Sequence, residues 1–189
     1  MERILLASAS PRRKELLERL GYSLTVCPSD IDETPFAGEE PIEFAERMAA
    51  AKASDHKGLL VAADTVVHVE GEILGKPTNQ TDAVRMLERL SGRNHMVTTG
   101  VCVGRSLRKI FSVSTRVCFR HLKPEEIHDY VATGDPMDKA GGYGIQGMAA
   151  CFVLTVDGSY TNVVGLPLAE VVRALRANGC PPPFYTGVS

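Results

Sequence analysis

The chain has no tryptophan and few other aromatic residues. Phe, Tyr and Trp make up 6% of its 189 residues, and the formal net charge is −2. Proteins that bind single-stranded nucleic acid stack bases on aromatic side chains, and broad nucleic-acid surfaces need an excess of basic residues. We therefore expect no nucleic-acid partner, and any positive potential must be confined to one place on the surface.

Cysteine, histidine and long apolar runs are also sparse. The five cysteines form no CxxC pair and the five histidines show no HExxH or HxxxH spacing, so neither a disulfide framework nor a histidine-built metal site is indicated. No run approaches the roughly 18 apolar residues of a membrane span, and the apolar stretch at the N-terminus is too short for a signal peptide core. These absences predict a cytoplasmic protein with reduced thiols and no membrane partner.

The pattern that remains predicts an α/β protein with a mixed sheet, because strands and helices are interspersed without strict βαβ alternation. We expect residues 1–189 to form one domain, with two lobes sharing one core and a Pro-rich tail from about residue 180 that frays. Helices are expected at 11–20, 41–54, 81–90, 124–132 and 167–177. Strands are expected at 3–7, 59–69, 95–103, 109–120, 149–156 and 159–164, the last two joined by a turn at Asp157-Gly158.

A cluster of basic residues at the start of the first helix is the first chemical signal. Ser10 suits the N-cap and Pro11 the first helical position, so Arg12, Arg13 and Lys14 fall in the first turn. Each base there costs about 0.3–1 kcal/mol against the helix dipole unless an anion lies among them. Backbone N–H groups and two guanidinium groups would clamp a polyphosphate. The alternative is a solvated basic turn.

Asp64 is the second signal, because it interrupts a long apolar strand pattern. A buried carboxylate needs a cation or strong hydrogen-bond donors, such as the adjacent Thr65, and such acids are usually retained for a site. The alternative is a strand-end acid held by backbone N–H groups. Glu33 is the natural partner, although Asp30 and Asp32 are equally available. Two carboxylates with phosphate oxygens form the shell that Mg²⁺ or Mn²⁺ prefers.

Three lysines and one glutamine could complete such a site. Lys52 falls on the apolar stripe of the second helix, where it either reaches water or points into a pocket. Lys76 lies in LGKP and Lys139 in DPMDKAGG, and singly each is more typical of a surface. Residues 142–147 match GxGxxG, but a loop precedes them and a strand pattern follows, which excludes a dinucleotide-binding fingerprint. The glycines instead allow close approach to a ligand, with Gln146 offering an amide to a base edge.

Taken together, the segments SASPRRKELL, AADTVV, GKP, DKAGGYGIQG and NVVGLPL resemble the Maf proteins, which are nucleoside triphosphate pyrophosphatases linked to septum formation. They extend from residue 6 to residue 168 in the family's order. The resemblance implies an ITPase-like fold, with a mixed twisted sheet divided over two lobes and a central cleft. It also implies a homodimer and a link to cell division arrest.

Within that family, the sequence is similar to the branch that acts on dTTP and UTP. The resemblance implies that Arg12, Thr65 and Gln146 select a pyrimidine base and that Asp64 is the general base. Asp135 departs from the family pattern, in which a glutamate is usual. The substrate-binding residues expected are Ser8, Ser10, Arg12, Arg13, Lys52, Thr65, Lys76, Lys139 and Gln146, with Asp64 catalytic and Glu33 and Asp64 as metal ligands.

The resulting hypothesis is a Mg²⁺- or Mn²⁺-dependent enzyme that converts a nucleoside triphosphate to the monophosphate and pyrophosphate. The residues alone do not choose between attack at the α- and γ-phosphorus, nor between Asp64 and a metal-bound hydroxide as the base. The main alternative is a nucleotide-binding regulator of division with little catalysis, whose effect on septation would survive Asp64→Asn.

Overall fold

A computed structural model describes residues 3–54 and 56–185 of the chain. None of the helices in these ranges combines the length and the apolar character that a membrane crossing needs. The strands are β1 (Ile4–Ala7), β2 (Leu24–Val26), β3 (Leu60–Val69), β4 (Glu72–Leu74), β5 (Asn94–Gly104), β6 (Arg108–Phe119) and β7 (Val153–Asp157). The helices are α1 (Pro11–Arg19), α2 (Pro41–Ala53), α3 (Gln80–Leu90), α4 (Pro124–Ala132), α5 (Tyr160–Val164) and α6 (Leu168–Ala177).

The seven strands form one mixed sheet in the order β2-β1-β3-β5-β6-β7, with β4 paired to β3. β1 runs parallel to β2 and β3, whereas the other pairs are antiparallel. On one edge β3 pairs continuously with β5 from Leu60 to His68. On its other edge β3 pairs with β1 only as far as Ala62 and with β4 only from Val67. The sheet therefore splits between Ala62 and Val67, which confirms the expected mixed sheet divided by a cleft.

The two sides of this split have separate apolar cores. One cluster, which includes Leu87, Phe119 and Tyr143, joins α3 and α4 to the sheet. The other cluster, which includes Leu17 and Leu175, joins α1 and α6 to the sheet. Burial of apolar side chains in both clusters fixes the two walls of the cleft relative to β3, which belongs to both.

Helix α2 crosses the sheet on the face opposite α1, α3, α4 and α6, in close contact with β5. Gly100 makes this contact possible, because a Cβ atom there would lie 2.2 Å from the carbonyl oxygen of Ala45. Phe44, Ala45 and Met48 are buried on the same helix face. This packing brings the last turn of α2, with Lys52, over the middle of β3.

The strand predicted at 149–156 is partly wrong, and the strand predicted at 159–164 is entirely wrong. A 3₁₀ turn occupies Met148–Phe152, so only β7 remains of the first strand. The second segment forms α5, because the Ser159 side chain accepts a hydrogen bond from the Asn162 N–H and caps the helix. The β-branched residues of this segment favoured a strand in the sequence. In the structure, the capping of α5 and the burial of its side chains outweigh that weak strand propensity.

The short strand β2 was not predicted, since three residues give no periodic signal. The tail beyond residue 180 packs against the domain through residue 185. The Tyr22 hydroxyl donates to the Cys180 carbonyl, Pro182 is buried, and the Arg176 guanidinium lies over the Tyr185 ring. Residues 186–189 lie outside the described ranges.

Candidate active site

A cavity of about 930 Å³ opens where the sheet splits beside β3. Its walls come from both cores, from the loop before α2 and from the glycine-rich segment after α4. The lining contains every residue that the sequence predicted for the site: Ser8, Ser10, Arg12, Arg13, Glu33, Lys52, Asp64, Thr65, Lys76, Lys139 and Gln146. Arg12 and Asp64 therefore face one cleft.

Asp64 lies near the middle of β3 and has a cationic partner in Lys52. The Lys52 ammonium is 2.6 Å from Asp64 Oδ1 and 2.6 Å from Glu33 Oε1. The side chains of Lys52 and Asp64 are only 11% and 13% exposed, whereas that of Glu33 is 46% exposed. Lys52 thus points into the cavity and does not reach along α2 to water, which settles the alternative that the sequence left open.

Glu33 is held in its charged form by these neighbours. Its partial burial opposes ionisation, but the hydrogen bond and charge of Lys52, with smaller contributions from Lys76 and Arg13, outweigh that effect and lower the pKa of Glu33. The carboxylate is therefore anionic at neutral pH. The carboxylates of Glu33 and Asp64 lie together on one side of the cavity, an arrangement suited to binding a cation.

Arg13 forms part of the cleft wall. Its Nε donates to the Gly165 carbonyl (2.7 Å), Nη1 to the Ser8 hydroxyl (2.9 Å) and the Ala63 carbonyl (2.8 Å), and Nη2 to the Thr65 hydroxyl (2.9 Å). These bonds use four of the five N–H donors of a guanidinium. The side chain is buried, and desolvation lowers its pKa from the ordinary value. Arg13 therefore ties three chain segments together around the split in the sheet.

Arg12 is held much more loosely than Arg13. Its side chain is 30% exposed, and Nη1 lies 3.7 Å from Asp138 Oδ2. Asp138 also accepts a 2.6 Å hydrogen bond from the Lys139 ammonium, which in turn lies 3.2 Å from Asp135 Oδ1. This hydrogen bond from Lys139 is the main reason that the pKa of Asp138 is lowered. Asp138 was missed by the sequence argument, although its position directly before Lys139 is a signal that could have identified it.

The N-terminus of α1 faces the same cavity with its backbone donors. Ser10 occupies the N-cap position as predicted, but its side chain makes no capping hydrogen bond. Its own N–H donates instead to the Ser8 hydroxyl at 3.3 Å. Within the described residues no acidic side chain lies in the first turn of α1. The helix terminus is thus open to an external anion.

The glycine-rich segment presses against β3 and carries Gln146 to the rim of the cavity. Gly141 adopts a φ of +67° and donates its N–H to the Gly75 carbonyl at 3.0 Å. A Cβ atom on Gly141 would lie 2.8 Å from Val67 Cγ1, so a larger residue cannot approach this closely. Tyr143 is consequently buried beneath the cavity, whereas Gln146 is exposed at its edge.

Thr65 lies in the cleft wall with its hydroxyl already engaged. The hydroxyl accepts from Arg13 Nη2 at 2.9 Å and lies 2.9 Å from the Thr99 hydroxyl. Its implied role in choosing the base stays a prediction. The contacts show that Thr65 couples β3 to β5 and to the Arg13 network.

A buried pair under the cavity was not predicted at all. The Tyr143 hydroxyl is 2.7 Å from His95 Nε2, and the two side chains are 6% and 2% exposed. Burial lowers the pKa of His95 to about 4, so the imidazole is neutral at physiological pH. A lone histidine on an apolar strand gives no sequence signal, whereas the tyrosine between glycines could have drawn attention.

The carboxylates of Glu33 and Asp64 fit a metal site that the substrate completes. No group of three or more metal-ligating side chains occurs in the part of the chain that the structure describes. Glu33 and Asp64 supply two oxygen-donor groups, and Mg²⁺ is commonly held by one or two carboxylates with substrate phosphates and water. The donor set therefore fits a divalent ion that shares its coordination with a polyphosphate.

Known proteins are similar to this chain over nearly its whole length. A family model described as "Maf-like protein" matches residues 3–178. The dTTP/UTP pyrophosphatase of Geobacter sp. (strain M21) is 53% identical over 184 residues, covering 93% of this chain and 95% of that protein. The dTTP/UTP pyrophosphatase of Geobacter sulfurreducens is 54% identical over 185 residues, covering 94% and 97%. The Staphylococcus aureus Ham1 protein shares the fold, with a TM-score of 0.52, 15% identity and coverage of 93% and 97%.

Proposed function

We propose that this chain, which belongs to the family of Maf-like proteins, hydrolyses dTTP and UTP to the monophosphate and pyrophosphate. The observation that carries the proposal is the placement of Arg12 and the N-terminus of α1 in the same cleft as Asp64 and Glu33. Relatives above 50% identity that are named dTTP/UTP pyrophosphatases support the substrate class and the reaction. The homodimer, the cytoplasmic location and the link to septum formation stay predictions of the sequence.

Binding of the triphosphate would rest on the cationic wall of the cleft. Arg12, Lys76 and Lys139 line this wall, and the backbone N–H groups at the start of α1 add directed donors. Among the described residues, Arg12 has a single long ion pair to give up, whereas Lys139 is held by two carboxylates. We therefore assign Arg12 the main contact with the phosphates.

Asp64 would activate the attacking water. One of its oxygens, which accepts from Lys52 in the nucleotide-free protein, would hold the divalent cation, and the second oxygen would accept the proton. The water oxygen then forms a bond to the α-phosphorus while the bond from that phosphorus to the bridging oxygen breaks, and pyrophosphate leaves. A divalent cation held by Glu33 and Asp64 would offset the negative charge of the phosphates.

The identity of the released product tests the reaction directly. We expect a molybdate assay to detect no phosphate when the protein is incubated with UTP and Mg²⁺, and to detect two phosphates per UMP once inorganic pyrophosphatase is added. Phosphate release without the added enzyme would show attack at the γ-phosphorus and overturn the proposal.

Gln146→Glu is expected to lower kcat/KM for dTTP and UTP by at least about tenfold and to change the order of preference among nucleotides. A carboxylate only accepts hydrogen bonds, so it loses the N–H donor that the amide can offer to a base carbonyl. The measurement is a panel of pyrimidine and purine triphosphates at fixed Mg²⁺. Gln80→Glu, which makes the same change at the start of α3 outside the cavity, is the control. An unaltered profile in Gln146→Glu would place base selection elsewhere.

A further inference from the structure

The Lys52 ammonium lies between the two carboxylates that are the expected metal ligands. It is 2.6 Å from Glu33 Oε1 and 2.6 Å from Asp64 Oδ1. The lysine comes from the last turn of α2, a helix fixed by its contact with Gly100, and its side chain is 11% exposed. The ammonium is therefore an integral part of the nucleotide-free site.

A divalent ion and this ammonium would compete for the same oxygens. Mg²⁺ needs oxygen ligands at about 2.0–2.1 Å, so an ion shared by Glu33 and Asp64 would lie within a few ångströms of Lys52. Two cations at that distance in a partly buried site repel strongly. Lys52 also neutralises one of the two negative charges that would attract the metal. Metal binding therefore requires that the ammonium move away.

A triphosphate offers the alternative partner that such a movement needs. Its oxygens can accept the three N–H groups of an ammonium, and the cavity of about 930 Å³ leaves room beside Lys52. Since Lys52 has a flexible four-carbon stem, a small rotation carries its charge from the carboxylates to an adjacent phosphate.

We propose that Lys52 is an exchangeable counterion, which excludes a divalent cation from Glu33 and Asp64 in the nucleotide-free protein and releases both carboxylates when a triphosphate accepts its ammonium. The cation then enters together with the nucleotide. This inference rests on the proposed function of the cleft. It adds that the divalent cation binds to Glu33 and Asp64 only when the nucleotide has accepted the Lys52 ammonium.

Mn²⁺ binding to the nucleotide-free protein tests the proposal. The probe is the electron paramagnetic resonance signal of free Mn²⁺, titrated with wild type, Lys52→Met and Lys76→Met. We expect Lys52→Met to bind one Mn²⁺ at least about tenfold more tightly than wild type, because removing the contacting charge leaves two uncompensated carboxylates. Lys76→Met removes the same charge from the same cavity. Within the described residues Lys76 forms no ion pair with Asp64 or Glu33 and acts on Glu33 only at a distance, so its removal should change the affinity less than about twofold.

Two outcomes with the single variants would overturn the proposal. One is an unchanged or weaker Mn²⁺ affinity in Lys52→Met, and the other is an equal gain in both lysine variants, which would reflect general charge. Adding Asp64→Asn to Lys52→Met should abolish the gain, and a persistent gain would place the ion elsewhere and count against the proposal. Lys52→Gln replaces Lys52→Met if circular dichroism shows that the methionine variant does not fold.

The failure of this inference is distinguishable from failure of the proposed function. The Mn²⁺ titration contains no nucleotide, whereas pyrophosphate release by the wild type tests the reaction. If the wild type produces pyrophosphate and Lys52→Met shows no gain in Mn²⁺ affinity, only the counterion role is wrong.

Discussion

Asp64→Asn is expected to lower kcat for pyrophosphate release by at least about a thousandfold, while leaving the fold intact. The amide keeps the shape of the carboxylate and an oxygen that can accept the hydrogen bond from Lys52. It cannot take a proton from water, and it removes one of the two negative charges that face the cationic wall. The measurement is a coupled pyrophosphate assay at saturating UTP, with circular dichroism to confirm the fold.

Asp157→Asn is the matched control for this variant. Asp157 ends β7 and is paired with Arg116 at 3.6 Å, with 77% of its side chain exposed. The same chemical change there should leave kcat unaltered, because the residue does not line the cavity. Asp64→Asn activity above about one hundredth of wild type would exclude Asp64 as the base, since general-base catalysis contributes at least about a hundredfold.

Arg13→Ala is expected to lower the free energy of unfolding by about 3–5 kcal/mol. The substitution removes the guanidinium donors from the buried carbonyls of Ala63 and Gly165 and from two hydroxyls, those of Ser8 and Thr65. Urea denaturation followed by circular dichroism measures the change. Arg13→Lys should recover little of the lost stability. A lysine ammonium cannot replace a planar guanidinium that donates to four separate acceptors.

Arg12→Ala is the contrasting variant in the same turn of α1. In the part of the chain that the structure describes, its guanidinium is held by one 3.7 Å ion pair with Asp138, so stability should change by less than about 0.5 kcal/mol. Its loss should instead raise KM for UTP about tenfold or more, since it removes a charged contact to the phosphates. Equal effects of both variants on KM, with no loss of stability in Arg13→Ala, would show that Arg13 is a phosphate ligand and not part of the wall.

The elements that the sequence predicted well are those with strong local signals. Pro11 at the first helical position and Gly21 beyond the last turn gave α1 nearly its observed bounds, and Gly21 has a φ of +84°. The apolar run at 59–69 became β3 almost unchanged. α5 was missed because the burial of Asn162 depends on strands distant in sequence, where its side-chain amide donates to the Val97 carbonyl and the Thr115 hydroxyl.

The residues that line the cavity were predictable from the sequence, but their contacts were not. Unfavourable placements, namely bases at a helix N-terminus and an acid in an apolar strand, indicated residues that the structure brings to one cavity. Whether Lys52 reached water or the pocket depended on how α2 crosses the sheet, which no local pattern encodes. Arg12 and Arg13 looked equivalent in the sequence, and only the position of the split beside β3 separates the buried arginine from the partly exposed one.

A crystal structure of the protein with Mn²⁺ and a non-hydrolysable α,β-imido analogue of UTP tests the central claim most directly. The anomalous signal of manganese should appear next to Glu33 and Asp64, with the phosphates extending to Arg12 and the first turn of α1 and with Lys52 moved onto a phosphate oxygen. A nucleotide bound outside this cleft, or bound within it without contact to Arg12 and Asp64, would contradict the account.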